Sequence, residues 1–179
     1  VSVVMNLLWK MLNSLSYLTD ASGSGPDAIN NGAIWQSGAP TGGHLELDGI
    51  NDYISTVDTG LWDSATGSVE FWMKTDGDTQ NLIEFMTSSD DYLVVAQSGS
   101  LIRVISEVGG AAAIDIRSVV NINNDAWRHV VVTQDGTGVD IYIDGVLDGG
   151  AGPTSGGSGA GNGNNWTSHL GSIEPTTGW

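Results

Sequence analysis

The sequence predicts an all-β domain in which two antiparallel sheets pack face to face. Three observations carry that expectation. Short β-branched runs recur along the chain, glycine (26 residues) falls between them, and almost no segment holds a helical period. Roughly ten such strands, with no internal repeat, make a sandwich or jelly roll.

The elements follow in order. Residues 3–11 are the first candidate strand, although Met5, Leu8, Trp9, Leu12 and Leu15 also fit helical spacing, so the type stays open. Residues 20–27 read as a turn-rich loop. Residues 44–48 and 53–56 are short strands on either side of Gly49-Ile50-Asn51-Asp52. Residues 68–75 alternate strictly, with Val69, Phe71 and Met73 on one face and Glu70, Trp72 and Lys74 on the other, which marks a half-buried strand. Residues 82–86, 92–96 and 101–106 form a meander, with 111–119 as a weaker strand after it. Residues 127–134 and 139–143 pair as a hairpin. Asp144-Gly145 then makes a two-residue turn of type I′, in which both central residues need positive φ. Residues 149–165 are nearly all Gly, Ser, Ala and Asn, a composition that builds no core, and residues 166–173 are the last strand.

Composition bounds the function. The chain has 179 residues, which suits one domain, and no cysteine, so no disulfide supports it. Five Lys+Arg stand against 21 Asp+Glu, a net charge of −16. Such a surface repels phosphate backbones and anionic lipid, so nucleic acid is not an expected partner. No apolar run reaches the length of a membrane span, so no membrane insertion is expected. The apolar start (Val1, Val3, Val4, Met5, Leu7, Leu8) lacks the basic flank and nearby cleavage site of a signal peptide and reads as part of the fold.

Four segments, in order, resemble laminin-G-like domains of the concanavalin A-like lectin/glucanase kind, a jelly roll shared with the pentraxins. They are Trp9-Lys10-Met11 with Asp20-Ala21-Ser22-Gly23-Ser24-Gly25; Leu45 through Tyr53 (LELDGINDY); Ser68 through Thr75 (SVEFWMKT); and Trp127 through Thr133 (WRHVVVT) with Tyr142-Ile143-Asp144-Gly145. The resemblance implies a single domain over 1–179. It also implies that the family's last strand would begin where the chain stops, leaving a bare edge that is expected to be covered by a second copy, a homo-oligomer, or by an adapted N-terminal segment. Trp9, Trp72 and Trp127 fall in strands and resemble the family's core or face positions, so they are expected to serve packing.

No catalytic expectation follows. Glucanases on this fold use E-x-D-x-E on one strand, which sets two carboxylates on one face about 5 Å apart for retaining cleavage. That pattern is absent; Asp140, Asp144 and Asp148 share the spacing, but Asp144 and Asp148 sit in turns. No G-x-S-x-G elbow occurs. The chain is therefore expected to be no enzyme but a carbohydrate- or glycoprotein-binding module, extracellular or at a cell surface. A protein-interaction module and a divergent glycoside hydrolase are the alternatives.

Two acidic groups are candidate calcium sites, since Ca²⁺ takes six to eight oxygens from carboxylates and carbonyls. One joins Asp20 to Asp48, Gly49, Asn51 and Asp52; the competing reading has Asp48 and Asn51 capping a turn. The other, implied by resemblance to the pentraxins, joins Asp90 and Asp91 to Glu174; the competing reading is a solvated turn. Sugar rings stack on aromatics while amides bond their hydroxyls. Trp35, Trp62 and the cluster Asn164, Asn165, Trp166 are the candidate ligand residues.

Overall fold

The computed structural model describes residues 9–10, 17–20, 23, 25–56, 66–135 and 138–149. Among the described residues there is no helix. The strands are β1 (Trp9–Lys10), β2 (Tyr17–Asp20), β3 (Ala28–Asn31), β4 (Ile34–Ser37), β5 (Gly43–Glu46), β6 (Tyr53–Ser55), β7 (Gly67–Met73), β8 (Thr79–Ser88), β9 (Asp91–Ser98), β10 (Leu101–Val108), β11 (Ala111–Arg117), β12 (Arg128–Gln134), β13 (Val139–Ile143) and β14 (Val146–Gly149). They form sheets of order β1-β2-β3-β6, β11-β10-β9-β8 and β14-β13-β12-β7, plus the hairpin β4-β5. Every pairing is antiparallel.

The core lies between the meander β8–β11 and the sheet of β7, β12, β13 and β14. Alternation builds it. In β12, Val130 and Val132 are fully buried; in β13, Val139, Ile141 and Ile143 are buried; and in β10, Ile102 and Val104 are fully buried. These side chains join Leu93, Val95, Ile114 and Ile116 in one apolar cluster. Burying each Val or Ile completely is worth about 1.5–3 kcal/mol, which makes this layer the main source of stability. Ile122, on the crossing from β11 to β12, belongs to the same cluster. Its N–H donates to the Ser100 carbonyl at 2.8 Å, while Ser118 Oγ accepts the Ile102 N–H at 2.9 Å.

One buried polar residue ties an end of the meander shut. Gln97 is fully buried. Its Nε2 donates to the carbonyls of Gly77 and Gly99, and its Oε1 accepts from Gln80 Nε2 at 2.9 Å. The β13–β14 turn has the expected type I′ geometry, with Asp144 at φ 53° and Gly145 at φ 81°.

The structure also departs from expectation. Asp20 closes β2 rather than opening a loop, and β2, β3 and β4 are additional to the strands expected. β4 (IWQS) is exposed at all four positions, so it carries no apolar alternation to read. β8 starts earlier than residue 82 and holds two register shifts, which break its alternation. Residues 1–8 of the apolar start, the glycine-rich segment after 149, the strand at 166–173 and the place of a last family strand lie outside the described residues.

Removing the Ile102 side chain beyond Cβ (Ile102→Ala) lowers stability by roughly 2–5 kcal/mol. Gln97→Leu costs about 1–3 kcal/mol, because two carbonyls and the Gln80 amide lose their partner. Urea unfolding reads both as a lower midpoint at unchanged slope.

Candidate functional site

The same alternation that fills the core sets a different row of side chains on each outer face. In β10, burial of Ile102, Val104 and Ser106 turns Arg103, Ile105 and Glu107 outward. In β9, burial of Leu93, Val95 and Gln97 turns out Tyr92, Val94 and Ala96, and in β11 burial of Ile114 and Ile116 turns out Asp115 and Arg117. Register then places Arg103 between Ala96 and Arg117, Ile105 between Val94 and Asp115, and Glu107 beside Tyr92. Glu84 of β8 faces Val94. Val94 is only 5% exposed although it points away from the core, so these polar side chains close over an apolar floor.

The groups are interlocked. Arg103 grips Asp115 with two bonds, Nε to Oδ1 at 2.8 Å and Nη2 to Oδ2 at 2.9 Å. The Arg103 bond, and next to it the Arg103 charge, holds the Asp115 carboxyl below its usual range against the opposing effect of burial. Burial, and then the hydrogen bond to Glu107, pushes the Tyr92 hydroxyl up to about 12. Asn81 Nδ2 donates to Glu84 Oε2 at 3.2 Å. An exposed ion pair typically contributes about 0–1 kcal/mol, so the Arg103–Asp115 fork matters more for what it displays than for stability. It presents fixed donors beside fixed acceptors on a rigid sheet.

The outer face of the opposite sheet differs. Trp72 of β7, expected to serve packing, has its side chain turned away from the buried Val69 and Met73 and is 42% exposed. It stacks on His129 of β12, its register partner, with ring centroids 5.0 Å apart at 27°. His129 Nε2 lies 3.9 Å from Glu70 Oε2. Trp127 does pack: its ring meets His44 of β5 edge-on at 5.0 Å and 78°.

The candidate residues read from the sequence are dispersed. Trp35 is 45% exposed, with its indole laid so closely over Gly43 that a Cβ there would collide with the ring. Asp48 acts as a turn cap: its Oδ1 accepts from the N–H groups of Ile50 (2.8 Å) and Asn51 (3.1 Å), which lowers its pKa. Asp52 Oδ2 accepts the Asp48 N–H at 3.0 Å, and the Asp52 carboxylate sits over Gly32, whose φ is +99°. Asp20 Oδ2 accepts the Gly25 N–H at 2.5 Å. Asp90 sits in the β8–β9 turn, where its carbonyl takes the Gly110 N–H at 2.8 Å. Among the described residues no three acidic or histidine side chains converge as a ligand set. Gly49 and Asn51 belong to the Asp48 turn. Trp62, Asn164, Asn165, Trp166, Glu174 and the Asp91 side chain lie outside the described residues.

The sequence profile of the concanavalin A-like lectin/glucanases superfamily matches residues 48–175. That stretch is well over half of the 179 residues. The chain belongs to this superfamily. No curated protein matches this superfamily member in sequence. Among solved structures it is similar to an S-layer domain-containing protein from Clostridium thermocellum, at 23% identity and a TM-score of 0.54, covering 78% of this chain and 67% of that one. It is also similar to domain 4 of an extracellular arabinanase from Geobacillus stearothermophilus, solved with arabinotriose, at 20% identity and a TM-score of 0.64, covering 81% of this chain and 75% of that one. At such identities the likeness is one of fold.

Tyr92 gives a spectroscopic check on the meander face. A tyrosine whose folded pKa is raised contributes stability in full below the ordinary value of 10.0, and that contribution is lost as pH rises through about 12. Absorbance titration of the tyrosinate band shows a late step that Tyr92→Phe removes.

Proposed function

We propose that this superfamily member is a non-catalytic carbohydrate-binding module of a secreted or surface protein, and that it takes a short neutral oligosaccharide on the outer face of β8–β11. The carrying observation is the Arg103–Asp115 fork beside the Tyr92–Glu107 pair over the apolar floor of Val94. Paired donors and acceptors held in one plane suit the adjacent hydroxyls of a sugar, whose C–H edges then cover the floor. Rigid display on a sheet leaves little ordering to be done on binding. Neutral sugars fit best, because the charge of Arg103 is already matched by Asp115, with Glu84 and Glu107 close by. The arabinotriose in the similar arabinanase domain, and the extracellular and S-layer settings of the two neighbours, lend support.

The non-catalytic reading has its own support. A glycosidase acid needs a raised pKa. Among the described residues the carboxyls of Asp48, Asp115 and Asp144 are held below the ordinary range, the opposite of that requirement.

A protein-interaction module is favoured by one feature. Val119, Val120, Val146 and Leu147 are exposed, and Asp148 Oδ2 joins the two pairs by accepting the N–H groups of Val119 (2.8 Å) and Val120 (2.9 Å).

A screen of neutral oligosaccharides, arabinotriose included, in calcium and again in EDTA tests the proposal. Binding that persists in EDTA is the result this side-chain network predicts; binding that EDTA abolishes would move the site to a calcium loop. Arg103→Lys keeps the charge but loses the fork, and it weakens binding about tenfold or more, equivalent to about 1.4 kcal/mol. Absence of binding to every sugar would favour the apolar patch and a protein partner.

A further inference from the structure

We propose that Trp72 forms a second saccharide site, independent of the β8–β11 face, that stacks pyranose sugars with a flat C–H side. Its strand, β7, buries Val69 and Met73 in the core, so the fold does not need the indole for packing. Yet the ring is not loose. His129, directly opposite in register, covers part of one indole face at 5.0 Å and 27°, which fixes the side-chain rotamer. Among the described residues no strand pairs with β7 on the side away from β12. That leaves a broad aromatic surface, 42% exposed, held ready before any ligand arrives. Trp supplies large rigid contact area at small entropic cost.

The surroundings select the class of ligand. Glu70 lies two residues before Trp72 on the same outer face and is exposed. Lys74 lies two residues after it and is held by Asp125, Nζ to Oδ1 at 3.0 Å. Two strand residues span about 6.6 Å, so hydrogen-bonding groups stand one step to either side of the ring. One aromatic among carboxylates and an ammonium is a poor core for a protein interface, which is depleted in charge. It suits a pyranose, which offers axial C–H bonds to the indole and hydroxyls to the rim. The two sheets pack about 10 Å apart, and this face points away from the one bearing Arg103, so no single short sugar reaches both. The two sites together would bind a polysaccharide with an avidity neither has alone.

The indole N–H signals of ¹⁵N-labelled protein, titrated with cellotetraose and with xylotetraose, test this. Trp72 is assigned by the signal lost in Trp72→Phe. The expected result is a saturable shift of that signal by at least one of the two sugars. Affinity at Trp72, read from that signal, is unchanged in Arg103→Lys; in that background, where the β8–β11 face is weakened, the affinity read by calorimetry falls tenfold or more with Trp72→Ala and stays within a few-fold with Trp72→Tyr. A Trp72 signal that neither sugar moves, or an affinity unaltered in Trp72→Ala, overturns the proposal. Loss of the same binding in Arg103→Lys would overturn its independence. Failure of the β8–β11 site alone would appear instead as an Arg103→Lys variant that binds every screened sugar as well as the parent.

Discussion

Everything the molecule displays depends on a dry layer of β-branched side chains between two sheets. Val130, Val132, Ile141, Ile102, Val104 and Val95 are all fully buried there. Because side chains on a strand point alternately to opposite faces, filling that layer also decides what points outward. Once Ile102 and Val104 are inside, Arg103 cannot be. Once Val69 and Met73 are inside, Trp72 must lie on the surface. A slip of one residue would exchange the two sets, so the apolar layer fixes the register that aligns Arg103 with Asp115 and Trp72 with His129.

The outward rows are held by pairs that do little for stability. Arg103–Asp115 is partly exposed, and so are Arg128–Asp144 and Lys74–Asp125. The Arg128 pair holds a turn in place, since Asp144 also accepts the His129 N–H at 3.0 Å and so closes the turn between β13 and β14 onto β12. The Arg103 pair closes no turn. It stands in mid-sheet, where the backbone ladder already supplies order, and its fork faces solvent.

Much of the fold is legible in the sequence. The strict alternation of residues 68–75 yields β7 with its faces assigned correctly, and Asp144-Gly145 yields its turn type. The reading of Asp48 as a turn cap, one of two open alternatives, is what its bonds to Ile50 and Asn51 make of it. The candidate faces are less legible. Arg103, Tyr92 and Asp115 lie on three different strands, and only the register brings them together. A signal does exist: the chain has five Lys+Arg in all, and Arg103 and Arg117 fall at outward positions of neighbouring strands. For Trp72, residue type and family resemblance both point to packing, because Trp is usually buried. Its outward position is nevertheless implied by the alternation that places Phe71 and Met73 on the other side. Periodicity says which face a residue takes, and for Trp72 it is a better guide than residue type.

The charge of −16 bears on what these faces accept. Acidic polysaccharides would meet repulsion from the whole surface before reaching any local group. Arg103 and Arg117 face each other directly across β10 and β11, a like-charge pair that costs stability unless something lies between them. Asp115, one outward step along β11 opposite Ile105, supplies a counter-charge instead: it bonds Arg103, and its carboxyl also feels the Arg117 charge. The cationic character of the meander face is thereby neutralised internally, and what remains is a set of oriented dipoles and part-neutralised forks. On the proposed reading, such a surface would discriminate by the geometry of hydroxyl groups rather than by net charge. On that basis ionic strength should matter little to binding at the β8–β11 face, in contrast to a site that captures an anion.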